Sequence, residues 1–279
     1  MFTYIKGSAL LIFIAATCVT AQVRQQVSME LSMSFDVPYV GPIKKLDTFI
    51  FGPNISHHTE KTEAKRFYAK MLVNDSKGKI IDANNKLYIK YNIENKEYWE
   101  IPFEKALYKK DSTKTKKSSK RKNSRWSMPF GDDESPIDSV YRTKQNGGLL
   151  LGVESMKWKT TFTDSSGGVL IIEEWETPQL PALRLADSLN KSLQMYLGRP
   201  DTMIATFGGG FSNMMLKSKN IKHQLPPING EIIKAIIQTF EEGELTPTFV
   251  MELEITELNI EPLNKDSFRV PKLYTIIDQ

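Results

Sequence analysis

Along residues 27–35, VSMELSMSF, the apolar positions Val27, Met29, Leu31, Met33 and Phe35 fall on one side of an extended chain, and Ser28, Glu30, Ser32 and Ser34 on the other. Strict period-two alternation predicts a half-buried strand. It returns in RFYAKMLV, with Phe67, Ala69, Met71 and Val73, and in KLYIKYNI, with Leu87, Ile89, Tyr91 and Ile93. DSKGK (75–79) and DANN (82–85) read as turn chemistry between and beside these runs. Short connections between consecutive strands favour antiparallel pairing.

The pattern resumes further on. Met156, Trp158, Thr160 and Phe162 alternate with Lys157, Lys159 and Thr161, and DSSGG then turns the chain into VLIIEEW, which predicts a hairpin. Ile233, Ala235 and Ile237 lead through EEGE into a strand whose apolar side is Phe249, Met251, Leu253 and Ile255.

One segment has a different period. In LPALRLADSLNKSLQMYLG, Leu185, Leu189, Leu193 and Tyr196 recur every three to four residues, Pro181 stands near the start, and Gly198 with Pro200 closes the run. That predicts an amphipathic helix of about four turns that needs an apolar partner. The following TMIATFGGGFSNMMLKS has no clear period and reads as a break between helix and strand. The fold class expected is mainly β (α+β): a curved antiparallel sheet or unclosed β-barrel with one or two helices packed on its concave face.

At 40% hydrophobic and 25% charged residues the chain is neither fibrous nor wholly disordered. Residues 1–21 pair Lys6 with an apolar run and end Val19-Thr20-Ala21, the form of a signal peptide cleaved before Gln22. Export to the periplasm or outer membrane is therefore expected, with residues 22–279 as a single domain. Cys18, the one cysteine, lies in the signal, so the mature chain has no thiol chemistry. Lipidation of Cys18 would need a small residue before it, and Thr17 fits that pattern poorly.

Charge is concentrated. Residues 105–125 hold ten Lys and Arg against Asp111, a local +9 within a formal total of +4. Without that segment and Lys6, the remainder sums to −6. Residues 109–138 read as an exposed, disordered insertion, poor in apolar residues until Trp126. Lys116, Lys117, Lys120, Arg121 and Lys122 are its candidates for binding an anionic membrane surface, while export argues against nucleic acid.

Recognisable catalytic chemistry is sparse. His57, His58 and His223 are the only histidines. Glu60 and Glu63 stand near the His pair, but neighbouring residues point apart on a strand and a third ligand has no recognisable spacing, so the pair reads as part of a polar loop and no metal is expected. Gly208-Gly209-Gly210-Phe211-Ser212 lacks the Lys of a phosphate loop and has Met214 where a nucleophile elbow needs Gly. Asp132-Asp133-Glu134, with Asp138, lacks the ligand spacing of a calcium loop. No cofactor and no enzymatic activity are expected.

Three phrases together resemble a known kind of domain: IIEEWETPQLP (171–181), GEIIKAIIQTFEEGELTPTFVMELEITELN (230–259) and FRVPKLY (268–274). They look like the exported, largely uncharacterised domains of Bacteroidetes-type bacteria allied to the LolA/LolB lipoprotein-carrier superfamily. The resemblance covers roughly residues 152–274. It implies an unclosed antiparallel barrel around helices, with a concave face able to hold a lipid or a lipoprotein acyl chain. The basic insertion and the Met- and Gly-rich segment depart from the group's pattern. The candidate apolar lining is Met33, Phe35, Met71, Trp158, Leu189, Leu193 and Met251, whose alternative role is that of ordinary core. The function expected is a non-enzymatic envelope protein that binds a lipid, acyl chain or apolar segment; the alternative is a structural or protein-interaction module with a filled core. The closing phrase reads as a lock, with Pro271 at an exit position and Phe268, Val270 and Tyr274 covering the open end of the apolar interior.

Overall fold

The structure, a computed structural model, describes residues 24–37, 41–64, 75–109, 136–218 and 225–278. Within them twelve strands form one sheet: β1 (Gln25–Val37), β2 (Gly41–Gly52), β3 (Ile55–Ala64), β4 (Asp75–Asp82), β5 (Leu87–Asn92), β6 (Glu97–Glu100), β7 (Ile137–Leu150), β8 (Val153–Asp164), β9 (Val169–Thr177), β10 (Glu231–Phe240), β11 (Phe249–Pro262) and β12 (Thr275–Ile276). Their order is β12-β6-β5-β4-β3-β2-β1-β11-β10-β9-β8-β7, and the two ends do not pair, so the sheet is unclosed. Every neighbouring pair is antiparallel except β12 with β6. Helices α1 (Pro181–Tyr196) and α2 (Phe211–Ser218) pack on one face, called inner here. This is the mainly β architecture that the alternating pattern predicts.

Each predicted strand that falls in described residues is present, and so is the β8–β9 hairpin. The run 67–73, with Met71, lies outside the described residues, as do the signal segment and residues 110–135. The inner series of β11 is Met251, Leu253 and Ile255, as expected, but it then changes phase. Leu31 stands opposite Ile255 while Glu30 stands opposite Glu257, so Thr256 is an extra residue. This β-bulge turns Leu258 toward the inner cluster with Val27 and Met29. A second irregularity, between Ile232 and Lys234, lets both Ile232 and Ile233 be buried.

Under α1 the inner face is a filled core. Leu183 and Ala186 meet Val27, Met29, Phe51, Ile233 and Ile255, all nearly inaccessible. Leu193 packs further along, on Ile81 and Ala83. The helix ends as predicted at Gly198, with the Arg199 N–H donating to the Gln194 carbonyl (3.0 Å). Tyr196, expected on the apolar side, is instead 53% exposed. The buried stripe runs through Leu183, Ala186 and Leu193, rotated from the one read in the sequence.

Three further expectations are corrected. DSKGK is no turn: it opens β4, whose outer side begins with the small residues Ser76 and Gly78 and so carries little apolar signal. Gly78 is required there by a close approach, since a Cβ would lie 1.9 Å from the Tyr91 ring. His57 and His58 lie in β3, not in a loop. The closing phrase does not cover the inner face. After β11 the Leu263 N–H donates to the Arg24 carbonyl (2.8 Å), and a short 3-10 turn (Lys265–Phe268) follows. Phe268 then lies over Gly52, and Val270 and Tyr274 pack on the outer residues Ile80, Ile89 and Tyr91. The segment finishes as β12 on β6, with the Thr275 N–H donating to Lys96 and the Ile277 N–H to Tyr98 (both 2.9 Å). It is a strap across the outer face.

Candidate functional site

At the other end of the inner face the cover is shorter. Met215 of α2 meets Phe162, Leu170, Ile172, Ile237 and Met251. Around them stand Met33, Phe35, Val140, Phe211, Leu216 and Phe249, each only half-buried. Among the described residues these side chains form an apolar wall that α2 leaves half-buried, as Leu31, Phe49 and Leu258 are under α1. Of the predicted lining, Met33, Phe35 and Met251 come together at this wall. Trp158 lies beside Phe211, against Ile228, Ile232 and Ala235. Leu189 and Leu193 belong to the packing under α1. Met71 and the five basic candidates lie outside the described residues.

A buried polar network holds α2 in place, and sequence reading missed it. Glu174, Ser212 and Thr160 are fully inaccessible, and Arg142 nearly so. The Ser212 hydroxyl donates to Glu174 Oε2, and the Ser212 backbone N–H to Oε1 (3.2 Å). Arg142 donates to Thr160 Oγ1 (2.9 Å), Ser212 Oγ (3.0 Å) and the Pro226 carbonyl (2.8 Å). Gly210 permits this approach, because a Cβ would lie 3.1 Å from Glu174 Oε1. Burial pushes the Glu174 carboxyl above its ordinary value, against the bonds from Ser212 and Phe211 and the charge of Arg142. The sequence signal was faint: Arg142 and Glu174 follow the apolar Val140 and Ile172 on the inner sides of β7 and β9, but Lys144 and Glu176 continue the same series with charge. Ser212 spends its hydroxyl on Glu174 and Arg142 away from solvent, so it is no accessible nucleophile.

The two histidines point to opposite faces. On the outer side, His57 Nδ1–H donates to the Ser267 carbonyl (2.7 Å), since a carbonyl only accepts, and Nε2 accepts from the Tyr91 hydroxyl (2.5 Å). On the inner side, His58 stacks on Phe49 (4.3 Å between ring centres) and bonds Asp47 Oδ1 at 2.8 Å. Asp47, His58 and Glu60 bring three metal-type donor atoms within 4.8 Å of one another. The Lys45 ammonium already bridges the two carboxylates, 3.0 Å from Asp47 and 3.2 Å from Glu60. A cation is thus supplied by the chain itself. Burial acts to raise the Asp47 carboxyl, but the bonds from His58 and Lys45 outweigh it and hold it below the ordinary range.

No family model matches the chain, and no curated protein matches it. Among solved structures, a LolA superfamily protein from Nitrosomonas europaea aligns with a TM-score of 0.25 and 6% identity, over 95% of this chain and 98% of its own. A domain from Vibrio parahaemolyticus named for outer membrane lipoprotein sorting aligns with a TM-score of 0.25 and 8% identity, over 93% and 95%. The fold assignment above rests on strand order and register, not on these superpositions.

Proposed function

We propose that the protein is a non-enzymatic component of the cell envelope that binds an acyl chain or similar apolar segment on the inner face beside α2. The observation that carries this reading is the apolar wall beside α2: Met33, Phe211, Leu216 and Phe249 gather at one place on the inner face and each stays half-buried, over a floor of the inaccessible Phe162, Leu170 and Ile172. Each half-exposed aromatic or Met side chain there leaves apolar area that a ligand can remove from water, at about 25 cal/mol per Å². Met33, Met215 and Met251 adapt their shape to chains of different length. Export through the N-terminal segment and attachment of residues 105–125 to anionic membrane belong to the same reading.

The test is native mass spectrometry and lipid extraction on the purified mature chain, followed by titration of the delipidated protein with a fluorescent fatty acid. A copurified lipid, or saturable uptake that falls at least about tenfold in Met33→Asp/Phe249→Asp, supports the proposal. Protein that neither carries lipid nor takes up the probe overturns it in favour of an interaction module.

A further inference from the structure

We propose that the inner face of β4 and β5, beside the exit of α1, is a binding site for a phosphate-class oxyanion formed by Lys79, Lys90 and Arg199. Lys79 and Lys90 are direct partners in the β4–β5 ladder. Like charges so placed are destabilising, with Cβ atoms about 5 Å apart. The neighbouring lysines of this face have acids. Lys77 pairs with Asp75 (2.6 Å) and Glu60 (3.4 Å), and Lys45 with Asp47 and Glu60. His58, the partner of Lys79 on the β3 side, also holds Asp47. Asp47, Asp75 and Glu60 are therefore taken, Glu97 on β6 stands diagonal to Lys90 without bridging to it, and among the described residues Lys79, Lys90 and Arg199 form no ion pair.

Arg199 adds a third cation. Leu197 packs on the cluster of Ile81 and Tyr88, and the helix-ending bond from Arg199 to Gln194 fixes the backbone just beyond it. Burial, then Lys90, then Arg199 lower the Lys79 pKa, and Glu60 is the one acid that opposes them. Two facing ammonium groups, with Arg199 on the segment that follows α1, leave uncompensated positive charge on a surface where Lys79 is half-buried and Lys90 and Arg199 are exposed. An oxyanion offsets it, with the Arg fork donating to two of its oxygens and the ammonium groups to the rest. Lys90 is also positioned by the Tyr88 ring, 5.7 Å away. The site is separate from the apolar wall beside α2 and does not rest on the acyl-chain reading.

The phosphate has two chemical sources, free in solution or on a lipid headgroup. The mature chain is titrated by calorimetry with inorganic phosphate, and in parallel assayed for co-sedimentation with phosphatidylglycerol-containing against phosphatidylcholine-only vesicles. Lys79→Met, which keeps the apolar stem, and Arg199→Gln are compared with wild type. Expected is phosphate or phosphatidylglycerol binding that weakens at least about tenfold in the double variant. Melting of Lys79→Met should be higher than wild type in chloride, with the difference shrinking or reversing in phosphate, which a purely structural lysine would not show. Binding of inorganic phosphate alone assigns a free anion; binding of vesicles alone assigns a headgroup. Since the basic run 105–125 is intact in both variants, vesicle binding that survives them without any phosphate affinity overturns the proposal, as does failure to bind either probe.

Discussion

Over β3 to β5 the outer face of the sheet carries Ile80, Ile89, Tyr91 and His57, and the C-terminal strap covers them with Val270 and Tyr274. Over β8 to β11 the same face carries Lys157, Glu173, Trp175, Lys234, Glu252 and Glu254 and remains in contact with solvent. There the ammonium groups of Lys157 and Lys234 stand 4.7 and 5.6 Å from the Trp175 ring and bridge to the three glutamates. A long open sheet must finish both its faces, and this one does so once with an apolar roof and once with a ladder of charges. The difference in energy should be large, because burial of apolar area stabilises in proportion to area, whereas exposed ion pairs are largely cancelled by hydration.

Truncation after Ser267 should break the comparison most severely. It removes the buried Phe268 and the half-buried Val270 and Tyr274, and at about 2 kcal/mol for the first and about 1 kcal/mol for each of the others the loss is roughly 4 kcal/mol, lowering the melting temperature by about 10 °C. Thermal unfolding followed by circular dichroism measures this; an unchanged midpoint would show the strap to be a loose tail.

A smaller effect is expected at His57, the polar group beneath the strap. Exchange for Gln disturbs the bonds to Ser267 and Tyr91 and should cost about 1–2 kcal/mol at neutral pH. The wild type carries a pH dependence as well. Burial lowers the His57 pKa from its ordinary 6.5, an effect that the bond to Ser267 only partly opposes. The unfolded chain then takes up a proton before the folded chain does. Stability from this group is complete above about pH 6.5 and is lost as pH falls below it. Urea denaturation across that window should show the decline in wild type and a flatter profile in His57→Gln; parallel profiles would remove the assignment.

The least effect is expected on the charged half. Lys234→Met deletes contacts to Glu252 (2.6 Å) and Glu254 (2.8 Å) and should cost less than about 1 kcal/mol. The cost should shrink further in high salt, as screening weakens those pairs in wild type. A loss as large as that from strap truncation, or one indifferent to salt, would mean that the two halves are not finished by different physics.

Legibility differed between elements for reasons visible in individual residues. β1, β5, β8 and β11 were readable because one face is apolar and the other polar, so burial imprints a period of two. β4 was not, because Gly78 reads as a turn when its only neighbours are those in sequence, whereas its role is to admit Tyr91 from the next strand. α2 lacked a signal because its first turn is anchored by Ser212 to Glu174 and Arg142, contacts made across 38 and 70 residues. The apolar wall was readable in part: Met33, Phe35 and Met251 do meet, whereas Leu189 and Leu193 serve the packing under α1.

By itself the amino-acid order determined the strand-rich class, the amphipathic α1 with its Gly198 stop, the hairpin at DSSGG and the separation of a basic segment from an acidic body. These follow from local geometry, the two-residue repeat of a strand and the 3.6-residue turn of a helix, which any solvent boundary writes into sequence. Only the tertiary structure decided that the strap lies outside rather than over the interior, that the two histidines serve opposite faces, and that Lys79 and Lys90 stand together beside Arg199. Those outcomes depend on register and on contacts between residues far apart in the chain, and an apolar phrase such as FRVPKLY states that it must be buried without stating against what.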